Sequence, residues 1–187
     1  MNIDPQLLEE CRQGNRKAQG QLHRCCYSML MGVSMRYMKQ EEEARAVLNM
    51  GFLKILNKLH TYQAHIPFEA WIRRIMINTL IDEYRKNKRY KDKIAYTDFK
   101  DTNNYEGYID FNEADRHFDA EAIEAIIHQL PEMSRQVFNL FAIDGYSHKE
   151  VSNMLNISEG TSKWHVSFAR KRIKQLLVEA MNVIKTL

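Results

Sequence analysis

The chain is poor in the residues that break or staple a fold. Among 187 residues there are only seven glycines and three prolines. A turn-rich β fold uses more of both, so the composition favours helices. The three cysteines, Cys11, Cys25 and Cys26, are an odd set with two adjacent members. They make no disulfide framework and suit a reducing compartment. With His23 they form the nearest approach to a metal-ligand cluster, but adjacent cysteines lack zinc-finger spacing, so no metal site is expected. Long apolar runs are missing too. The longest uncharged stretch near the N-terminus, Cys25 to Met35, falls well short of the roughly 20 residues that cross a bilayer. The first twenty residues, MNIDPQLLEECRQGNRKAQG, are too polar for a signal peptide. A cytoplasmic protein without membrane insertion is expected. There is no Gly-rich phosphate loop, nucleophile elbow or H-E-x-x-H motif. The expectation is therefore a non-enzyme with no cofactor and no small-molecule substrate. Nor is one sign of charge in large excess: 27 basic and 24 acidic residues leave +3. Total charge does not argue for nucleic acid, so its distribution has to.

What is present is helix-forming. Met, Leu, Ile, Glu and Lys are abundant, and apolar residues recur at helical spacing from Pro5 to Lys93. Leu7, Leu8 and Cys11 share a face, and Gly14-Asn15 breaks the pattern. Leu22, Tyr27, Leu30, Val33 and Met38 suit a second helix. Ala44, Val47, Leu48, Phe52, Ile55 and Leu59 line one side of a third, from about Glu41 to Leu59. After the turn HTYQAHIP a fourth helix runs from about Phe68 to Lys88 or beyond. It is apolar on most sides, with one polar stripe, Arg74–Asn78–Asp82, and the basic run RKNKRYKDK follows. Asp82 is expected to pair with Arg85 or Lys86.

The residues from Ile94 to about Ala120 differ. They show no sustained period, and Asp98, Asp101, Glu106, Asp110, Glu113, Asp115 and Asp119 face only Lys100 and Arg116. This reads as an acidic linker between two helical domains. Its aromatic residues suggest that it packs on something.

Beyond it, a short helix over Ala122–Leu130 precedes Pro131, and a second, lined by Val137, Leu140 and Phe141, ends near Asp144-Gly145. Ser147 and Glu150 form an S-x-x-E capping box that opens a helix carrying Val151 and Leu155. Asn156-Ile157 makes a turn and Ser158 can cap a further helix. Val166, Ala169, Ile173, Leu176 and Leu177 give that helix a buried stripe. Two short helices at a steep angle suit a helix-turn-helix. The second would present Thr161, Ser162, Lys163, Trp164 and His165, then Arg170, Lys171, Arg172 and Lys174. Hydroxyls and a lysine at a helix N-terminus can hold a phosphate and reach base edges. Capped helical hairpins with basic faces also occur in proteins that never touch DNA, and spacing alone leaves both readings open. Trp164 and Phe168 lie away from the buried stripe, with packing on the preceding helix preferred to contact with thymine methyls.

The segment LPEMSRQVFNLFAIDGYSHKEVSNMLNISEGTSKWHVSFARKRIKQLL resembles region four of bacterial extracytoplasmic-function sigma factors. Leu130, Pro131, Arg135, Val137, Phe138, Gly145, Tyr146, Ser147, Glu150, Val151, Ser158, Gly160, Thr161, Lys163, Ala169 and Arg170 match that pattern in register, while Ser152 stands where alanine is usual. PFEAWIRRIMINTLIDEYRKNKR is similar to region two of the same family through Phe68, Trp71, Ile75, Asn78, Asp82 and Arg85. The resemblance implies an all-α protein: a region-two-like domain over residues 1–93, an acidic linker over 94–119 that runs through the polymerase, and a region-four-like helix-turn-helix over 120–187. The partners it implies are core RNA polymerase, promoter DNA and an anti-sigma factor. It places Ser158, Thr161, Ser162, Lys163, Trp164, His165, Arg170 and Arg172 at the minus-thirty-five element. It places Tyr62, Phe68, Trp71, Arg74, Asn78, Asp82, Arg85 and Lys86 at the minus-ten element. Residue chemistry allows unpaired bases to stack on the aromatics and phosphates to follow the basic run, although a core placement is preferred for Phe68 and Trp71.

One segment departs from the family. The polymerase-binding helix usually reads close to D-A-E-D-[VL]-x-Q-E-x-F, and here Glu43 to Phe52 is EARAVLNMGF. Arg45, Ala46, Asn49 and Met50 replace acidic or amide residues, so polymerase binding through Arg45, Asn49 and Phe52 is expected to be weaker than usual. The change motivates a second reading, a sigma-like DNA-binding regulator that forms no productive holoenzyme. A plain helix-turn-helix repressor would leave the N-terminal half without a role.

Overall fold

The computed structural model describes residues 3–94 and 120–185, with side chains over 3–88 and 123–180. The segment expected to be a linker, residues 94–119, lies outside the described residues except for Ile94. The chain divides into two compact units, residues 1–95 and 96–187. Among the described residues all regular structure is helical.

The first unit holds α1 (Pro5–Arg12), α2 (Arg16–Tyr37), α3 (Glu41–Lys58), a 3-10 turn over Leu59–Thr61, and α4 (Phe68–Ile94). Local chemistry sets its boundaries. Asp4 caps α1 by accepting from the Gln6 amide, and Pro5 takes the first turn, where its missing N–H costs nothing. Gly14 adopts φ +80° and Asn15 accepts from the amides of Lys17 and Ala18, so one chain reversal both ends α1 and starts α2. Leu22, Leu30, Leu48, Ile55, Leu59, Ile72, Met76 and Leu80 are fully buried where α2, α3 and α4 meet.

Gly51 sets how closely α3 and α4 approach. A Cβ at this position would lie 2.5 Å from Met76 Sδ and 3.9 Å from Met76 Cα. Met76 is itself fully enclosed, so its side chain has little room to yield. Gly51→Leu should destabilise the unit by about 3 kcal/mol, the upper range for overpacking. Urea unfolding followed by circular dichroism checks this, and an unchanged midpoint would contradict it.

The second unit holds α5 (Ala120–His128), α6 (Glu132–Phe138), a π-helical turn over Asn139–Ile143, α7 (His148–Leu155) and α8 (Glu159–Lys185). Ile126, Ile127, Leu130, Phe138, Ala169, Ile173 and Leu176 form one apolar cluster. Arg135, from the family-like motif, is only 3% exposed, and its Nη1 donates to the His128 carbonyl at 3.3 Å. It thus satisfies one of the carbonyls left over at the end of α5. The single helix expected to continue to Asp144-Gly145 instead widens. The Asp144 amide donates to the Asn139 carbonyl five residues back, at 2.9 Å, which is the π-helical pattern. Gly145 then turns the chain at φ +78°.

Candidate nucleic-acid interface

The α7–α8 hairpin is assembled by its caps. Ser147 and Glu150 complete the capping box in both directions. Asn156 closes α7 in the left-handed region at φ 54°, ψ 51°, a conformation asparagine tolerates better than most residues. Ser158 Oγ accepts from the Thr161 amide at 2.9 Å and lies 2.8 Å from Thr161 Oγ1. The first turn of α8 therefore carries two exposed hydroxyls at a helix N-terminus, with Glu159 exposed beside them, and the exposed ammonium of Lys163 follows. This combination suits a phosphate. Further along α8, Lys171 and Lys174 are exposed. Trp164 and Phe168 stack on each other with centroids 5.3 Å apart and planes 15° apart, and both remain half-buried.

Three residues expected at this interface have other places. Ser162 is fully buried, 2.9 Å from His148 Nδ1, so it presents nothing to a groove. His165 directs Nδ1 at Ser134 of α6, 2.9 Å away. Arg170 lines an apolar cleft with Ile127, Phe138 and Ile173, and its Nε is buried. Arg172 stays on the outer side, 3.5 Å from Gln175 Oε1 and 4.0 Å from Glu179.

His148 carries a pH dependence. Burial pushes its imidazolium pKa down; Lys163 and Arg170 act in the same direction and Glu159 opposes them. The unfolded chain therefore takes a proton near pH 6.5 that the folded unit does not. The stabilisation is complete above about pH 6.5 and is lost as the pH falls from there toward the folded pKa. Thermal melts between about pH 5 and 8 should show this slope, and His148→Gln should remove its share.

In the first unit, α4 presents Arg74, Asn78 and Asp82 on its exposed side. Asp82 pairs with Lys54 of α3 at 3.2 Å instead of with Arg85 or Lys86, and Lys86 meets Glu83 at 3.7 Å. At the start of α4, Tyr62, Phe68 and Trp71 form a three-ring cluster with centroids 5.1 to 5.8 Å apart. Phe68 is buried beneath, which removes it from direct contact with DNA, while Tyr62 and Trp71 are half-buried. Tyr62 donates its hydroxyl to the Ile66 carbonyl at 2.8 Å, bracing the loop.

On α3, Phe52 is 8% exposed and packs edge-on against His23 at 4.8 Å, so it belongs to the core and not to a docking face. The outward face instead carries Ala46, Asn49, Met50 and Leu53, with Leu53 59% exposed. Arg45 is turned onto Glu41. Among the described residues no three acidic, histidine or cysteine side chains are placed to hold a metal, and no helix is long and apolar enough to cross a membrane. Burial first, then Cys25 and Cys11, push the Cys26 thiol up to about 12, so it stays protonated.

Two capped helices joined through a left-handed asparagine, the second with a basic outer face, have the form of a helix-turn-helix. A family model for the ECF sigma factor matches residues 3–179. RNA polymerase sigma-H factor of Pseudomonas aeruginosa is 26% identical over 182 residues, covering 93% of both chains. RNA polymerase sigma factor SigZ of Bacillus subtilis is 33% identical over 138 residues, covering 70% of each. Among solved structures, the sigma factor RpoE of Bartonella quintana, crystallised with the anti-sigma factor NepR, shares the fold. Its TM-score is 0.50 at 18% identity, over 84% of this chain and 95% of that one. The chain belongs to the ECF sigma factor family. It is accordingly a sigma factor that directs promoter-specific transcription, and the reading as a regulator outside a holoenzyme is not favoured.

Proposed function

We propose that the two units divide promoter recognition between them. The first turns of α8 read the upstream element in the major groove through Thr161, Lys163 and the Trp164–Phe168 stack, with Arg172 on the backbone. The exposed hydroxyl-and-lysine helix start supports this most directly. The Tyr62–Trp71 pair and the stripe Arg74–Asn78 take the downstream element, where half-exposed rings suit unpaired bases and Lys86 suits phosphate. The outward face of α3, Ala46–Asn49–Met50–Leu53, docks on core RNA polymerase. An anti-sigma protein is a further partner in this reading. The chain has no catalytic role of its own.

Run-off transcription with core polymerase over genomic fragments tests the proposal. Discrete start sites that appear only with the protein are the expected result. No specific transcript, together with no binding to core polymerase, would overturn it.

A further inference from the structure

Two serine–histidine pairs hold the first turns of α8, one from each neighbouring helix. From α7, His148 Nδ1 meets Ser162 Oγ at 2.9 Å. From α6, Ser134 Oγ meets His165 Nδ1 at 2.9 Å. Both serines are almost wholly enclosed, at 0% and 2% exposure. His148 is braced in turn. Its ring lies flat on Phe141 of the π-helical turn, with centroids 4.1 Å apart and planes 14° apart. A continuous line of contacts thus runs from the turn after α6, through α7, into α8.

The gripped residues interleave with the outward ones. Thr161 and Lys163 lie outward and Trp164 keeps a half-exposed ring, while Ser162 and His165 direct their polar atoms back into the unit. A buried hydroxyl is satisfied only while its partner stands within hydrogen-bond reach. Each pair therefore admits a narrow range of α8 rotations and tilts. Apolar packing along Val166, Ala169 and Ile173 is non-directional and would tolerate small sliding.

We infer that His148 and His165 are positioning residues for promoter reading: through Ser162 and Ser134 they set the angle of α8 and hence which bases Lys163 and Trp164 face. The inference rests on α8 being the groove-reading helix. A purely stabilising role would reduce binding to every DNA in proportion to the folded fraction. A positioning role changes the ratio between the right and the wrong sequence.

The test uses the full chain with core polymerase. Binding is measured to a promoter fragment found by run-off transcription and to the same fragment with its upstream element scrambled, beside thermal melts. His148→Phe keeps the stack on Phe141 and removes the hydrogen bond; His148→Asn keeps a partner for Ser162 without the imidazole. His148→Phe should cut promoter preference about tenfold, the scale of one misread base pair, with binding to the scrambled fragment nearly unchanged. His148→Asn should stay within about twofold of the parent, and His148→Phe with Ser162→Ala should lose no more than His148→Phe alone, as expected of coupled sites. Should His148→Phe fail to fold, His165→Phe with and without Ser134→Ala supplies the same comparison. Full preference in both phenylalanine variants, equal losses on both fragments, or additive losses would overturn the inference. A parent complex that does not distinguish the two fragments would overturn groove reading by α8 itself.

Discussion

Truncating Met50 and Leu53 together to alanine should weaken binding to core RNA polymerase by about 2 kcal/mol or more, roughly thirtyfold in Kd, without harming the fold. Both side chains stand on the outward face of α3, at 42% and 59% exposure, so removing them opens no cavity. Alanine is also the stronger helix former, which keeps α3 intact. The loss should therefore appear in a polymerase titration and not in a melting curve. The opposite change tests the altered charge. Arg45→Glu with Ala46→Asp restores the acidic pattern usual in the family and should tighten binding. Arg45 loses its ion pair with Glu41 in that variant, and like charges four residues apart on a helix cost only about 0.2–0.5 kcal/mol. Unchanged affinity in both double variants would place the polymerase contact elsewhere on the first unit.

Removing Thr161, Lys163 and Arg172 together as alanines should lower affinity for a promoter duplex at least about a hundredfold at moderate salt. Lys163 alone should contribute about 1–3 kcal/mol if it meets a base edge, and its loss then relaxes specificity at one position. If it meets phosphate, the loss is nearly independent of sequence and the salt slope falls by about one unit. The triple variant keeps Ser158, Ser162 and the stripe Val166–Ala169–Ile173, so the helix still starts and still packs. Thr161 contributes its backbone amide to the Ser158 cap, and alanine retains it. Binding unchanged by the triple variant, measured by salt titration with the full chain and core polymerase, would show that α8 does not read the groove.

Much of the architecture is legible in the residues because it depends on local rules. The Ser147–Glu150 box, the asparagine turn, the Ser158 cap and the inward faces of α3 and α8 each depend on neighbours within about one helical turn. Errors arise where an outcome depends on distant partners. Asp82 finds Lys54 on another helix, 28 residues away in sequence, and no i,i+4 rule anticipates that pairing. Ser162 was legible in principle. Extending the stripe Val166–Ala169–Ile173–Leu176 one turn toward the N-terminus lands on it, so a serine there signals a buried hydroxyl needing a partner. Phe52 likewise belongs to the inward stripe of α3 by spacing, and Leu53, its outward neighbour, lies one residue beyond the family motif. The π-helical turn after α6 has no compositional mark, since its five residues, Asn139 to Ile143, would suit an α-helix as well.

That turn also limits which chain-length changes the second unit can absorb. A π-helical turn accommodates one residue more than an α-helical path over the same span. Ala142 is exposed within it, so substitution there should be nearly silent. Deletion is a different event. Removing one residue would return the segment to α-helical register and shift everything after it by about 1.5 Å and 100°. His148 would leave the face of Phe141, and the Ser162 hydroxyl would leave His148. The connection between α6 and α7 therefore tolerates substitution at Ala142, holds Leu140 and Phe141 in place by burial and stacking, and is closed to single-residue loss.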